Sequence, residues 1–312
     1  MKPTVFLPEP IAANGMELLQ AECNCLTPWL DGKKPERELL AQADAVIVRV
    51  FEIRTDDLAR APRLKVIAKH GVGVDNIDVA AATARRIPIL WTPTANANAV
   101  AEHAMTLMLA LARNLYAAST ATFAGKWIKF EGVELAGKTL GVLGFGRIGR
   151  RVAEMARDGF AMQVRAYDPL VTQSDFTLER SLEAVLRTAD FLTLHVPLTP
   201  ETKHLMNAAR LQLLKPNCRL INTSRGGVID ETALAQALQT GRLAGAALDV
   251  FDQEPLRADH PFLRTPNLLL TPHISSSTTE SLARMSQDSA QGVLDVLHGR
   301  KPKYQLNLEA LP

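Results

Sequence analysis

Gly144-Phe145-Gly146-Arg147-Ile148-Gly149 stands between an apolar run, Thr139–Leu143, and a helical one, Ile148–Arg157. A strand that enters a helix through G-x-G-x-x-G leaves few folds open. The first glycine permits a tight turn, the second lets a pyrophosphate approach the backbone, and the third lets helix and strand pack closely. The helix N-terminus then faces the anion. Alone the pattern is weak, because glycine turns are common. Asp168 strengthens it by ending the next apolar run, 19 residues after Gly149. An acid there accepts hydrogen bonds from adenosine ribose hydroxyls. Pro169 and Leu170 follow it rather than an arginine, so a 2′-phosphate would meet repulsion. The pattern points to NAD, against a Rossmann sheet that binds S-adenosylmethionine or nothing.

The same alternation continues downstream. Apolar runs at Thr139–Leu143, Met162–Tyr167, Phe191–His195, Arg219–Thr223, Ala244–Val250 and Asn267–Leu270 predict six strands. Helical stretches Ile148–Arg157, Leu182–Ala189 and Glu231–Thr240 fit between them, which is the content of a full dinucleotide-binding sheet. The first hundred residues repeat the rhythm on a smaller scale. Thr4–Leu7, Ala45–Val50, Lys65–Ala68 and Ile87–Leu90 read as buried parallel strands. Ile11–Glu22 and Asp78–Arg85 read as helices, and Thr55 reads as a helix N-cap before Asp56 and Asp57. Thr92–Asn98 is turn-rich, and one long helix is expected from Ala99 to Ala118. A last helix spans Thr278–Leu297. The fold class is therefore α/β, with two doubly wound parallel-sheet domains. We expect a smaller, flavodoxin-like domain at 1–98 plus 286–312, discontinuous because the last helix returns to it. A Rossmann NAD-binding domain is expected at 99–285.

Composition excludes other classes. The chain has 312 residues, 35 Lys plus Arg against 33 Asp plus Glu, and a formal charge of +2. That balance offers no broad basic field for nucleic acid. Cys23, Cys25 and Cys218 cannot build a disulfide framework, and no metal-ligand cluster surrounds them. Pro3, Pro8 and Pro10 break the N-terminus, so no signal peptide is expected. The apolar stretch 99–111 is too short to span a bilayer. A cytoplasmic protein with no membrane partner is expected.

Three polar residues follow consecutive strand regions. Arg225 follows RLINTS, Glu254 follows GAALDVF, and His273 ends LLLTPH. Ligands of an open parallel sheet bind beyond the carboxyl ends of its strands, so all three face one rim. The set suits reversible reduction of a 2-keto acid. Arginine binds a carboxylate with a planar fork. Histidine exchanges protons near neutrality. A carboxylate on the other imidazole nitrogen fixes the tautomer and favours imidazolium.

These motifs, with GVGVDNID (71–78), VAEH (100–103), HVPLT (195–199), NTSRGGVIDE (222–231), ALDVFDQEP (247–255) and TPHIS (271–275), resemble the D-isomer-specific 2-hydroxyacid dehydrogenases, including phosphoglycerate dehydrogenase-like members. The resemblance covers nearly the whole chain. It implies two domains with the active site in their cleft, a homodimer, NAD as cofactor and a small 2-keto or 2-hydroxy acid as substrate. It implies Arg225, Glu254 and His273 as catalytic residues. It implies Val72 and Gly73 as the carboxylate-binding backbone. It implies cofactor contacts at Arg147, Ile148, Asp168, Val196, Pro197, Thr223 and Asp249, beside Gly144, Gly146 and Gly149. The serine-feedback domain of long phosphoglycerate dehydrogenases is expected to be absent. Ser275-Ser276 and Thr94 depart from the usual glycine or alanine and are expected to reshape the cleft.

Other polar residues divide. His195 reads as cleft lining and His103 as a packed histidine paired with Glu102. Arg49, Lys69 and His70 are placed to bind a second anionic group or to stand in solvent, and Arg49 is included in the substrate site. A dinucleotide-sensing protein, like the related C-terminal-binding corepressors, is the alternative to an enzyme.

Overall fold

The computed structural model describes residues 2–33 and 37–310. They form two compact units, Met1–Asn96 with Ser277–Pro312, and Ala97–Ser276. The first contains β1 (Thr4–Phe6), α1 (Ala13–Glu22), β2 (Asn24–Leu26), β3 (Ala45–Val48), α2 (Thr55–Ala59), β4 (Val66–Lys69), α3 (Val79–Ala84) and β5 (Ile89–Leu90). Its strands are all parallel in the order β2-β1-β3-β4-β5, the flavodoxin-like arrangement. Alternation along a strand explains the unbroken run Ala45–Val48. Val46 and Val48 join Phe6, Ile67 and Ile89 in one core. Ala45 and Ile47 join Val5, Leu7 and Val66 in the other, with Met16 and Leu19 of α1.

The second unit contains α4 (Ala97–Ala112), α5 (Leu115–Phe123), β6 (Thr139–Leu143), α6 (Arg147–Phe160), β7 (Gln163–Tyr167), β8 (Thr177–Leu178), α7 (Leu182–Thr188), β9 (Phe191–Leu194), α8 (Ala208–Leu211), β10 (Arg219–Asn222), α9 (Glu231–Gln239), β11 (Gly245–Leu248) and β12 (Leu268–Leu270). Their order, β12-β11-β10-β9-β6-β7-β8, is the Rossmann order with a seventh strand. Helix α10 (Thr279–Leu297) returns to the first unit, where Ala290, Val293 and Leu294 cover the α1 face of the sheet.

The structure differs from expectation in four places. The units divide at 96/97 and 276/277 rather than at 98/99 and 285/286. The reason for the later shift is that α10, capped by the Thr278 side chain on Ser281 N–H, belongs whole to the first unit. Strands β2 and β8 were not foreseen. They have three and two residues, and each begins on an exposed polar residue, too little for a period-2 signal. The long helix breaks at Asn114, whose φ of +50° starts α5 afresh. The cap of α2 is Arg54, one residue before Thr55, with its N–H held by Asp57 Oδ2 at 2.9 Å. Among the described residues no helix is long and apolar enough to cross a membrane.

The outer edge of β5 is covered by the tail. Leu306 N–H donates to Ile89 O at 2.8 Å. Asn307 is buried, accepts Ile89 N–H at 2.7 Å, and donates to Ile87 O and Thr83 Oγ1. Replacing Asn307 with Leu orphans a buried N–H and a carbonyl, at a cost of about 1–3 kcal/mol. Urea unfolding followed by circular dichroism is expected to show that loss. An unchanged midpoint would refute the edge-closing role.

Candidate active site

The glycine turn is built as the motif demands. Gly144 has φ +87°, and a Cβ there would lie 2.5 Å from His195 O. A Cβ on Gly149 would lie 2.1 Å from Gly144 O, whereas Gly146 faces open space. The tight turn, the packing glycine and the open approach are thus three different positions. Arg147 and Ile148 open α6, whose first turn carries no acid, so its N–H groups present positive potential. Asp168 ends β7, with Oδ2 accepting Phe145 N–H at 2.8 Å and Oδ1 accepting Leu170 N–H at 2.9 Å. Each oxygen keeps a lone pair for a further donor. Val196 and Pro197 follow β9 on the same edge. Thr223 follows β10, and its buried Oγ1 has no partner among the described residues. An orphaned hydroxyl and an open glycine turn on the same sheet edge fit a dinucleotide.

The three expected catalytic residues leave this edge from adjacent strands. Register sets Asn222, Leu248 and Leu270 side by side at the ends of β10, β11 and β12. Arg225, Glu254 and His273 follow them. His273 Nδ1 and Glu254 Oε2 are 2.7 Å apart, and Glu254 Oε1 accepts Phe251 N–H at 3.0 Å. Burial pushes the Glu254 carboxyl up, but these hydrogen bonds outweigh it and leave it below its ordinary value. The Glu254 loop is clamped from α9, where Glu231 accepts Asp252 N–H at 2.9 Å and meets His260 Nε2 at 3.2 Å. Arg225 donates from Nη1 to Ser224 O at 2.6 Å, and its own carbonyl accepts Asn222 Nδ2 at 2.9 Å. Gly226 lets this loop touch the next one, since a Cβ there would lie 1.8 Å from the Phe251 carbonyl carbon.

Asp249 requires a correction. Expected at the cofactor, it is fully buried and presents no surface to a ligand. Its Oδ1 accepts Thr271 Oγ1 at 2.6 Å and Ile274 N–H at 2.9 Å, and its Oδ2 accepts Ser275 N–H at 2.8 Å. Burial pushes this carboxyl up, and the donors, His103 among them, overcome that and bring it to about 2. The chain between these donors carries His273 at φ +53°, with its N–H on Thr271 O at 3.0 Å. Sequence reasoning missed this role because a D-V-F motif names the acid but not its partners.

Other candidates are spent inside the protein. His195 Nε2 meets Thr193 Oγ1 at 2.9 Å, and burial pushes its imidazole down to about 3. In the first unit His70 is buried, with Nε2 at 2.9 Å from Ser286 Oγ. Burial, then the Arg49 charge, pushes it down to about 4. Lys69 is buried and donates to Arg49 O and Asn76 Oδ1, each at 2.5 Å, which overturns its expected role toward a second anion. Arg49 reaches Pro10 O from Nη1 at 3.3 Å. The loop after β4 carries Val72 and Gly73, and among the described residues none accepts their N–H groups.

The chain is similar to known proteins over its whole length. The family profile described as D-isomer specific 2-hydroxyacid dehydrogenase, NAD binding domain, matches residues 105–275. The chain is 38% identical over 329 residues to glyoxylate reductase of Thermococcus litoralis, covering all of this chain and 98% of that protein. It is 41% identical over 283 residues to D-3-phosphoglycerate dehydrogenase of Methanocaldococcus jannaschii, covering 88% of this chain. The chain spans about half the length of that dehydrogenase (54%). Among solved structures, the TT0316 protein from Thermus thermophilus superposes with a TM-score of 0.88 at 34% identity, covering 97% of this chain and 99% of that one. An NADPH-dependent glyoxylate/hydroxypyruvate reductase from Sinorhizobium meliloti, in complex with NADP and malonate, gives 0.89 at 28% identity, covering 99% and 98%.

The Asp249 carboxyl sets an acid-side prediction. Its folded value is lowered, so its stabilisation is full above its ordinary range and is lost as pH falls toward about 2. The shift corresponds to roughly 2–3 kcal/mol. Asp249→Asn is expected to lose about that much near neutrality and to flatten the stability profile between about pH 4 and about pH 2. Urea titrations across that window measure it, and a wild-type slope in the variant would count against the carboxylate.

Proposed function

The chain belongs to the D-isomer-specific 2-hydroxyacid dehydrogenase family, and from that membership we propose that it reduces a small 2-keto acid to its D-2-hydroxy acid, and the reverse, with NAD(H). The observation that carries the reading is the 2.7 Å bond between His273 Nδ1 and Glu254 Oε2 at the sheet edge of the dinucleotide fingerprint. A pure dinucleotide sensor has no need of such a pair.

With Nδ1–H donated to Glu254, Nε2 is the nitrogen left to exchange a proton with substrate. In reduction His273 gives that proton to the carbonyl oxygen, and in oxidation it takes the proton back. Glu254 stabilises the imidazolium and holds its tautomer. The Arg225 guanidinium binds the substrate carboxylate and polarises the carbonyl. The family resemblance gives the Val72 and Gly73 N–H groups the role of carboxylate-binding backbone donors. The bound dinucleotide supplies hydride to the carbonyl carbon. Gly144–Gly149, Arg147, Ile148, Val196, Pro197 and Thr223 would hold it, with Asp168 on the ribose hydroxyls.

Small acids with uncharged tails are the substrates we favour, because Lys69 is committed internally and Arg49 is the remaining cation of that group. A homodimer is proposed as well. Helix α5 buries none of its residues, and Phe123 and Trp127 are 92% and 87% exposed. A groove along α4 and α6 is lined by the apolar Met105, Leu109, Met155 and Phe160 together with Glu102, Arg151, Glu154 and Asp158. A cytoplasmic location accords with Cys23, Cys25 and Cys218 standing as free thiols.

NADH oxidation with glyoxylate, hydroxypyruvate, pyruvate and phosphohydroxypyruvate tests the substrate reading. The small unphosphorylated acids should lead, and NADPH should serve less well than NADH because of Asp168. A large preference for the phosphorylated acid, lost in Arg49→Ala, would reverse the substrate choice. His273→Ala should lower kcat by ~10²–10⁴. Wild-type turnover in that variant would remove the histidine from the mechanism. Trp127→Glu should shift sedimentation toward the monomer, and an undisturbed dimer would move the interface elsewhere.

A further inference from the structure

His103 stands on α4 and has no part in the chemistry above. Its neighbour Glu102 is engaged by Asn98 Nδ2, so the expected His103–Glu102 pair does not form. Instead His103 Nε2 lies 3.2 Å from Thr271 Oγ1 and 3.5 Å from Asp249 Oδ1. Thr271 Oγ1 lies 2.6 Å from that same carboxylate oxygen. One arrangement of protons satisfies every atom. His103 donates Nε2–H into the Thr271 oxygen and the carboxylate, and the Thr271 hydroxyl donates onward to Asp249.

The far side of this network is the active-site turn. Asp249 receives the N–H groups of Ile274 and Ser275, the two residues after His273. His273 holds φ +53°, a conformation that a non-glycine residue keeps only where its surroundings over-determine it. The Asp249 carboxylate that holds the turn, and the Thr271 hydroxyl that donates to it, meet at His103. Helix α4 is a stiff support for that tie, since Ala104, Leu107 and Met108 around His103 are buried in the core.

We propose that His103 is a positioning residue for His273: through Thr271 and Asp249 it ties the Thr271–Ser275 turn to α4 and holds the imidazole in line with Glu254. The proposal rests on the acid–base role given to His273 above. A leucine at 103 would leave the Thr271 oxygen without its donor and the buried carboxylate with one partner fewer. The turn would then relax, and His273 would spend less time aligned for proton transfer. Binding of the dinucleotide, anchored at the glycine turn after β6 and at Asp168 after β7, would be spared.

The test compares His103→Leu, His103→Gln and Thr271→Val with His273→Ala in the full chain. It reads kcat for glyoxylate reduction, the NADH dissociation constant by fluorescence quenching, and Tm. Glutamine places an amide donor near the position of the imidazole Nε2. His103→Leu and Thr271→Val should each lower kcat about tenfold, with NADH binding within about twofold of wild type. Their double variant should be little worse than either alone, and His103→Gln should regain most of the loss. Wild-type kcat in His103→Leu, a glutamine variant as impaired as leucine, or kcat and NADH binding lost together would each overturn the proposal. If His103→Leu does not fold, Thr271→Val tests the same bond from its other end. His273→Ala separates the two readings. Wild-type turnover there defeats the acid–base role itself. A dead His273→Ala beside an unimpaired His103→Leu defeats only the positioning role.

Discussion

Parallel pairing of β10, β11 and β12 determines where chemistry can occur in this protein. All three strands run the same way, so their carboxyl ends finish level, at Asn222, Leu248 and Leu270. Residues a few positions further on emerge at one edge without any directed folding of the loops. The strands are apolar and packed on both faces. A one-residue slip would exchange those faces, so the register is held by the whole core. The level ends are a by-product of burial, and the site is assembled on them.

Burial brings side chains to the edge but does not aim them. Aiming falls to a few polar groups that the core can tolerate because they are fully partnered. Asp249 holds the turn of His273, and Glu231 with His260 holds the loop of Glu254. Both carboxylates act on backbone N–H groups, so holding the turn and the loop makes no demand on the imidazole Nε2 of His273. The left-handed turn at His273 is the strained element, and the Asp249 donors sit on its exit. Gly226 has the complementary role: with no Cβ it lets the Arg225 loop lie against Phe251.

Much of this was legible in the sequence because it rests on local spacing. Strand-sized apolar runs marked the two sheets, and the glycine fingerprint marked the tight turn between β6 and α6. Arg225, Glu254 and His273 could be named from their places after strands. What escaped depends on partners far apart in the chain. Strand β8 is two residues long and exists only because β7 lies beside it. Asp249 looks like a ligand-facing acid until the distant Thr271 and Ser275 are seen to fill it. Lys69 looks like an anion receptor until Asn76 and the Arg49 carbonyl are seen to accept its hydrogen bonds. His103 belongs with these: its helix was evident, but its partner Thr271 lies 168 residues away along the chain.

The first unit follows the same division of labour with different atoms. Glu9 accepts the N–H groups of Arg49, Val50 and Phe51, so the chain leaving β3 is capped by a side chain from the end of β1. Lys69 and Asn76 link that segment to the loop after β4. Each of these groups fixes backbone rather than presenting charge. Among the described residues the peptide N–H groups at Val72 and Gly73 have no acceptor, and the carbonyl of Gly71 before them takes both donors of Thr92. A carboxylate bound by peptide groups is recognised by its shape and charge alone, whatever is attached to it. Any discrimination by what such a carboxylate carries falls to side chains rather than peptide groups, and Arg49, with one guanidinium donor on Pro10 O, keeps donors for such a contact.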